Sequence, residues 1–283
     1  IAMGQDFARF WKCALQVNPW TYAQQYQGTA HKLSEDDYNN AIVDRCVKHE
    51  IQVVGIADHG CVDGVEALRK ALEAKGIVVL PGFEIASTEK VHMVCLYPAG
   101  TPTATLNQYL GSLGLAAGAN KTAPSSLGCL AIAEKVLKQG GFWYAAHITG
   151  ANGLLRLNQD GGGLAHIWTS TDSVLAAQIP GDIPSIPEPE IQKILLNKNA
   201  QYKRDRPIAL LNSKDVRHPD DLDNQRACSW VKMTSPTLEA LRLACRDPES
   251  RVRLSHEVNP TYYSRIEKIV VRRGYLEDLE LYL

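Results

Sequence analysis

Four short apolar runs each end on a side chain able to bind a metal ion or move a proton. IQVVGIA (51–57) runs into Asp58 and His59, VVLPGF (78–83) into Glu84, FWYAA (142–146) into His147, and IALLNSK (208–214) into Asp215. His92 opens a further run, VHMVCLY (91–97), just past the loop that follows Glu84. In barrels and doubly wound sheets the C-terminal strand ends form the functional face. Carboxylates mixed with imidazoles suit Zn, Mn or Fe better than Ca. Two or three such ions would clamp a phosphate and generate a hydroxide nucleophile. Each residue also has a plain structural reading. A histidine at a strand end often only packs or hydrogen-bonds, Asp58 precedes Gly60 as a turn residue would, and Asp215 precedes Pro219 in the same way. Taken singly the plain reading is favoured; the joint pattern favours a metal centre.

Other polar positions carry less. GGG at 161–163 lacks the Lys-Ser/Thr of a phosphate loop and reads as a hinge or exposed loop. Cys61 reads as a buried thiol rather than a nucleophile. His166, in LAHIW, reads as packing or bonding locally. His31, His49 and His256 lie in polar surroundings and are assigned no role.

The elements that must position these residues alternate between β-branched runs and amphipathic stretches. Ser34 followed by Asp37 predicts a capped helix with Tyr38, Ile42 and Cys46 on one face. A helix at 64–75 ends before Gly76, and another spans 129–138. Strands are expected at 51–58, 77–85, 91–97, 142–148, 174–180, 207–213 and 229–233. The stretch 99–128 reads as a loop with a short helix at 106–113, and 158–166 as a flexible loop. A helix at 191–198 follows the Pro-rich stretch. Ser235 as N-cap and Pro236 as first helical residue predict a helix over 237–245. Residues 266–283 read as two strands around a glycine-containing turn, unlike the rhythm before them. The repeated β-then-α order predicts a largely parallel sheet, open or closed.

Composition sets the bounds. The chain has 283 residues, 45% hydrophobic and 22% charged, which excludes disordered, collagen-like and coiled-coil classes. That length suits one barrel-sized α/β domain, or a domain with an appendage. A formal charge of −1 argues against bulk electrostatic binding of nucleic acid and leaves room only for a local basic groove. Seven cysteines without regular spacing or a C-x-x-C read as free buried thiols in a reducing compartment. No apolar run approaches the ~18 residues of a membrane span, so a cytoplasmic protein is expected.

GIADHGCVDGVEAL, GIVVLPGFEIAS, VHMVCLYP and FWYAAHITG resemble, in order and spacing through Asp215, successive motifs of the PHP (polymerase and histidinol phosphatase) family. The resemblance covers roughly residues 8–222. It implies a distorted (β/α)7 barrel, a two- or three-metal site and phosphoester hydrolysis. Carried over motif by motif, His59, Glu84, His92, His147 and Asp215 would be metal ligands, with Asp58 supporting His59. Asp58, His59, Glu84, His147 and Asp215 would form the catalytic set. Two positions depart from the pattern. Gln16 and Asn18 stand where the opening H-x-H is expected, and Asp215-Val216-Arg217-His218 displaces the closing histidine of D-x-H by one. Gln16, Asn18 and His218 are therefore expected around the site rather than as tight ligands, with fewer ions than usual of Mn, Zn or Fe.

LSEDDYNNAIVDRC, KDVRHPDDL and DPESRVRL carry a closer likeness to the N-terminal module of bacterial anti-phage proteins that join a PHP domain to an SMC-like ATPase. That likeness implies a PHP domain over 5–258 and a β-hairpin over 259–283 that starts an ATPase head. The expected partners are that ATPase, other copies of the chain, and a nucleotide or nucleic acid substrate. The alternatives are a degenerate barrel that binds without hydrolysis, and a docking or oligomerisation module.

Overall fold

Strands β1 (Arg9–Val17), β2 (Val53–His59), β3 (Val78–Ala86), β4 (His92–Leu96), β5 (Phe142–Ala145), β6 (Ala176–Gln178), β7 (Ala209–Leu211), β8 (Ser229–Met233) and β9 (Val252–Arg253) form one sheet, ordered β7-β6-β5-β4-β3-β2-β1-β8-β9. The computed structural model describes residues 8–22, 32–115, 123–150, 152–156, 164–170, 172–257, 268–274 and 277–282. The GGG stretch, His31, and residues 266, 267, 275, 276 and 283 of the tail lie outside them.

The sheet curls until its ends nearly meet. Val17 bridges Val216 in parallel, the Asn18 N–H donates to the Val216 carbonyl at 3.0 Å, and the Val216 N–H donates to the Gln16 carbonyl at 3.0 Å. The fold is thus mixed α/β with a barrel-like sheet. Pairing is parallel for β1/β2, β2/β3, β5/β6 and β6/β7. It is antiparallel on both sides of β4, and β8 pairs antiparallel with the first half of β1. The reversal of β4 matters for function. It places His92, the first residue of β4, opposite Ala86 at the end of β3, so a strand start joins the strand ends.

The strands divide two cores. Leu15, Val53, Leu80, Val94, Phe142, Tyr144, Ala209 and Leu211 pack inside the barrel. Helix Leu238–Arg246 lays Leu238, Leu241, Ala244 and Cys245 against that inner core. Ala14, Val54, Ile56, Val79, Phe83, Met93 and Trp143 face outward. They meet helices Glu35–Lys48, Val65–Glu73, Thr103–Ser112 and Cys129–Lys138. Both faces are apolar, as strands covered on two sides require. Close strand approach explains Gly82, where a Cβ would collide with the Cys95 carbonyl.

Several expectations are refined. The strand expected over 142–148 stops at Ala145, which leaves His147 in a turn. The helix expected from 237 is capped by Thr237, whose hydroxyl accepts from the Ala240 N–H at 3.2 Å, not by Ser235. Leu164–Thr169 is helical, so His166 lies on a helix rather than in a loop. The two-residue strand β9 is too short to leave a pattern in sequence. In the tail, Lys268–Gly274 pairs antiparallel with Glu277–Tyr282 in a sheet of its own, with Ile269, Val270 and Val271 about 40% exposed.

Candidate metal centre

Alternation along the strands decides which side chains reach the barrel mouth. Val53 and Ala57 point inward, so His59 does as well, while Asp58 points out. Leu80 directs Glu84 inward by the same count, Val94 and Leu96 direct His92, and Ala209 and Leu211 direct Ser213 and Asp215.

Two exceptions break the alternation, each with a physical cause. In β1 the register with β2 shifts between Ala14 and Val17, so one extra residue is accommodated. Leu15 lies in the inner core, and beyond the shift Val17 lies in the outer one, which brings Gln16 and Asn18 to the inside. Both are buried to 1% exposure. His147 follows β5 at a position that would face outward. It adopts a positive φ of 27°, which turns it back to the mouth. The Gly150 N–H then donates to the His147 carbonyl at 2.6 Å, and a Cβ on Gly153 would collide with that carbonyl.

Glu84 is the hub. Its Oε1 lies 2.6 Å from His92 Nδ1, 3.5 Å from His59 Nε2 and 3.7 Å from His147 Nε2, and its Oε2 accepts from Gln16 Nε2 at 2.7 Å. The ring centroids of His59 and His92 are 4.7 Å apart, and those of His92 and His147 are 4.9 Å apart. His59, Glu84 and His92 place one ligand atom each within 4.8 Å of the others. His147 flanks this triad.

Asp215 is held differently. Its Oδ1 accepts from Asn18 Nδ2, and its Oδ2 accepts from Arg217 Nε at 2.7 Å. Asp58 faces away from the mouth, with Oδ1 accepting the His59 backbone N–H at 2.7 Å and Oδ2 accepting from Thr21 at 3.0 Å. It thereby fixes the backbone of His59. His218 is drawn into a helix cap, where its Nδ1 accepts from the Asp220 N–H at 3.2 Å. Arg217 is the residue that sequence reasoning missed, although it stands one place before the displaced histidine.

Burial alone would raise the Glu84 carboxyl. The imidazoles of His59, His147 and His92 outweigh it and hold that group well below the ordinary 4.5. Burial lowers His59 below the ordinary 6.5. Burial pushes His147 the same way, but contact with Glu84 and the charge of Asp215 raise it. Burial, reinforced by Glu84, raises Asp215 despite Arg217.

These directions set a pH signature. A depressed carboxyl stabilises the fold above its unfolded value and loses that contribution as pH falls through its folded value. A raised histidine stabilises below 6.5 and loses that as pH rises through its folded value. In chelator-treated protein the difference in melting temperature between wild type and Glu84→Gln should therefore be largest between about pH 4.5 and 6.5, and should shrink as pH falls through the folded value of Glu84 and as it rises through that of His147. Thermal melts from pH 3 to 8 check this; a gap independent of pH would refute the charge assignment.

The donor set fits a cation. Gln16 and Asn18 each spend the amide nitrogen on a carboxylate, and Gln16 Oε1 and Asn18 Oδ1 remain buried with no donor. Two orphaned oxygens beside a carboxylate and imidazoles are what a divalent ion would satisfy.

Known structures share this architecture. The lesion-specific endonuclease PfuEndoQ from Pyrococcus furiosus superposes with a TM-score of 0.54 at 12% identity, over 86% of this chain and 57% of the endonuclease. Endonuclease Q in complex with a 27-mer duplex carrying an abasic lesion at the active site gives 0.54 at 12%, over 87% and 58%. The shared feature is the fold. The chain spans less than two thirds of these endonucleases. No family model and no curated protein matches it.

Proposed function

We propose that the chain is a metal-dependent phosphoesterase of the PHP type, acting on a phosphoester such as a nucleotide or nucleic acid. The observation that carries this reading is the convergence of His59, Glu84 and His92 on one point, flanked by His147 and Asp215. A bound Mn, Zn or Fe ion would supply Lewis acidity and an activated water. His59, Glu84 and His92 would hold it. Gln16 orients the Glu84 carboxylate, and Asp58 holds His59 through its backbone. His147, protonated more readily than an ordinary histidine, is placed to give a proton to the leaving oxygen.

A second reading has its own support. With both Asp215 oxygens engaged by Asn18 and Arg217, the centre is poorer in free ligands than the resemblance implies. A barrel that binds its ligand without hydrolysis follows from that. The test is metal content after purification, followed by hydrolysis of bis(p-nitrophenyl) phosphate with added Mn. About one bound ion and Mn-dependent turnover support the enzyme; absence of turnover with metal bound supports the binding module.

The wider setting is a proposal too. All seven cysteines are free and buried, which suits a reducing cytoplasm. No helix among the described residues is long and apolar enough to cross a membrane. The separate hairpin with its exposed Ile269, Val270 and Val271 supports a barrel domain over 5–258 followed by the start of an ATPase head over 259–283. In that setting the barrel would be the effector of an ATP-regulated, oligomeric anti-phage protein.

A further inference from the structure

Beside the Glu84 centre lies a cavity of about 600 Å3 whose lining includes His147, Lys214, Asp215, Arg217, Asp221 and Arg226. Its charges are unequally matched. Lys214 pairs with Asp221, and Arg217 pairs through Nε with Asp215. Neither Nη of Arg217 has a partner among the described residues, and the Arg226 guanidinium has none at all there. The backbone segments that carry these cations are tied to one another. The Lys214 N–H donates to the Arg226 carbonyl at 3.0 Å, which ties the segment carrying Lys214 and Arg217 to the turn carrying Arg226. Arg226 also lines a second cavity of about 460 Å3, so it stands where the two cavities share their wall.

A guanidinium with a free edge facing a cleft is built for phosphate, because its forked donors match two phosphate oxygens. Two such groups, one beside the centre and one farther along the same cavity, call for two phosphates. The cavity volume suits a nucleotide-sized ligand.

We propose that this cavity binds a substrate carrying two phosphoryl groups one linkage apart. Arg217 takes the phosphate that enters the Glu84 centre, and Arg226 takes the neighbouring, unreacted phosphate. The inference rests on the phosphoesterase reading and adds the substrate class. A nucleoside diphosphate presents its two phosphates in this way, whereas a 5′-phosphorylated dinucleotide sets them a whole nucleoside apart.

The experiment is calorimetric titration of the full chain, as purified and again with chelator, using inorganic pyrophosphate and orthophosphate. Wild type should bind pyrophosphate about tenfold more tightly than orthophosphate. Arg226→Ala should remove that preference, while Arg217→Ala should weaken the binding of both ligands. Arg226→Lys should restore part of the preference. Competition by ADP against 5′-phosphorylated dithymidylate then identifies the source of the phosphates. A wild type that does not prefer pyrophosphate, or an Arg226→Ala variant that keeps the preference, overturns the inference. Binding read with chelator separates the two claims. Loss of the pyrophosphate preference with Mn-dependent hydrolysis intact refutes the two-phosphate site alone. An intact preference without metal or turnover refutes the phosphoesterase reading alone.

Discussion

Glu84→Gln is expected to empty the metal centre while leaving the barrel folded. Glu84 carries the only formal negative charge in the triad, and its Oε1 is the atom toward which His59, His92 and His147 all turn. Glutamine keeps the volume and an acceptor oxygen but removes the charge, and its amide would present N–H groups toward ring nitrogens. Loss of a partner that only orients a ligand typically costs 10–100-fold in metal affinity, so loss of the hub ligand should cost at least about 100-fold. Hydrolysis of a generic phosphodiester should fall by more than about 1000-fold, given the charge stabilisation a metal supplies. Elemental analysis and a Mn-supplemented assay read both effects, and circular dichroism confirms that the variant folds. Metal retained at the wild-type level would place the ion elsewhere and remove the basis for the proposed function.

The strand-end residues were legible in sequence because a polar side chain closing an apolar run is conspicuous. Their direction was not legible. With both faces of β2 and β3 apolar, no alternation marks His59 and Glu84 as inward and Asp58 as outward. Asp58 enters the catalytic set through the resemblance, as a support for His59; it lies on the outer side and accepts the His59 backbone N–H. The inward turn of Gln16 and Asn18 depends on a register shift in β1, and the inward turn of His147 on a single positive φ. Neither has a composition signature. The reversal of β4 could be read from the short loop between Ala86 and His92, because a parallel crossover needs a dozen or more residues and a hairpin does not. Arg217 carries no sequence signal for the site, because the D-x-H pattern points to His218, which the following turn recruits as its cap. What sequence conveys well is which residues can do chemistry. Register and backbone sign decide which of them meet.

Gln16→His combined with Asn18→His should raise the number of bound ions above that of wild type. Both positions already face the inner cavity at 1% exposure, and each is within hydrogen-bonding reach of a carboxylate, Gln16 of Glu84 and Asn18 of Asp215. Their amide oxygens are neutral and weak donors toward transition metals, whereas imidazole suits Zn, Mn and Fe. A histidine at 18 would also compete with Arg217 for Asp215, and an ion held there would take over the role of that guanidinium as counter-charge. The cost lies in the barrel seam, because Asn18 Nδ2 donates to the Val216 carbonyl at 2.9 Å. Losing that bond should lower stability by about 1 kcal/mol, which the added ion would offset when metal is present. The expected result is thus a variant that melts below wild type with chelator and at or above it with Mn or Zn, with at least one additional ion by elemental analysis. Gln16→His alone should show little gain, because Arg217 would still hold Asp215. If the double variant binds no more metal than wild type, the mouth of the barrel does not accept a further ion, and the orphaned oxygens of Gln16 and Asn18 serve some donor other than a cation.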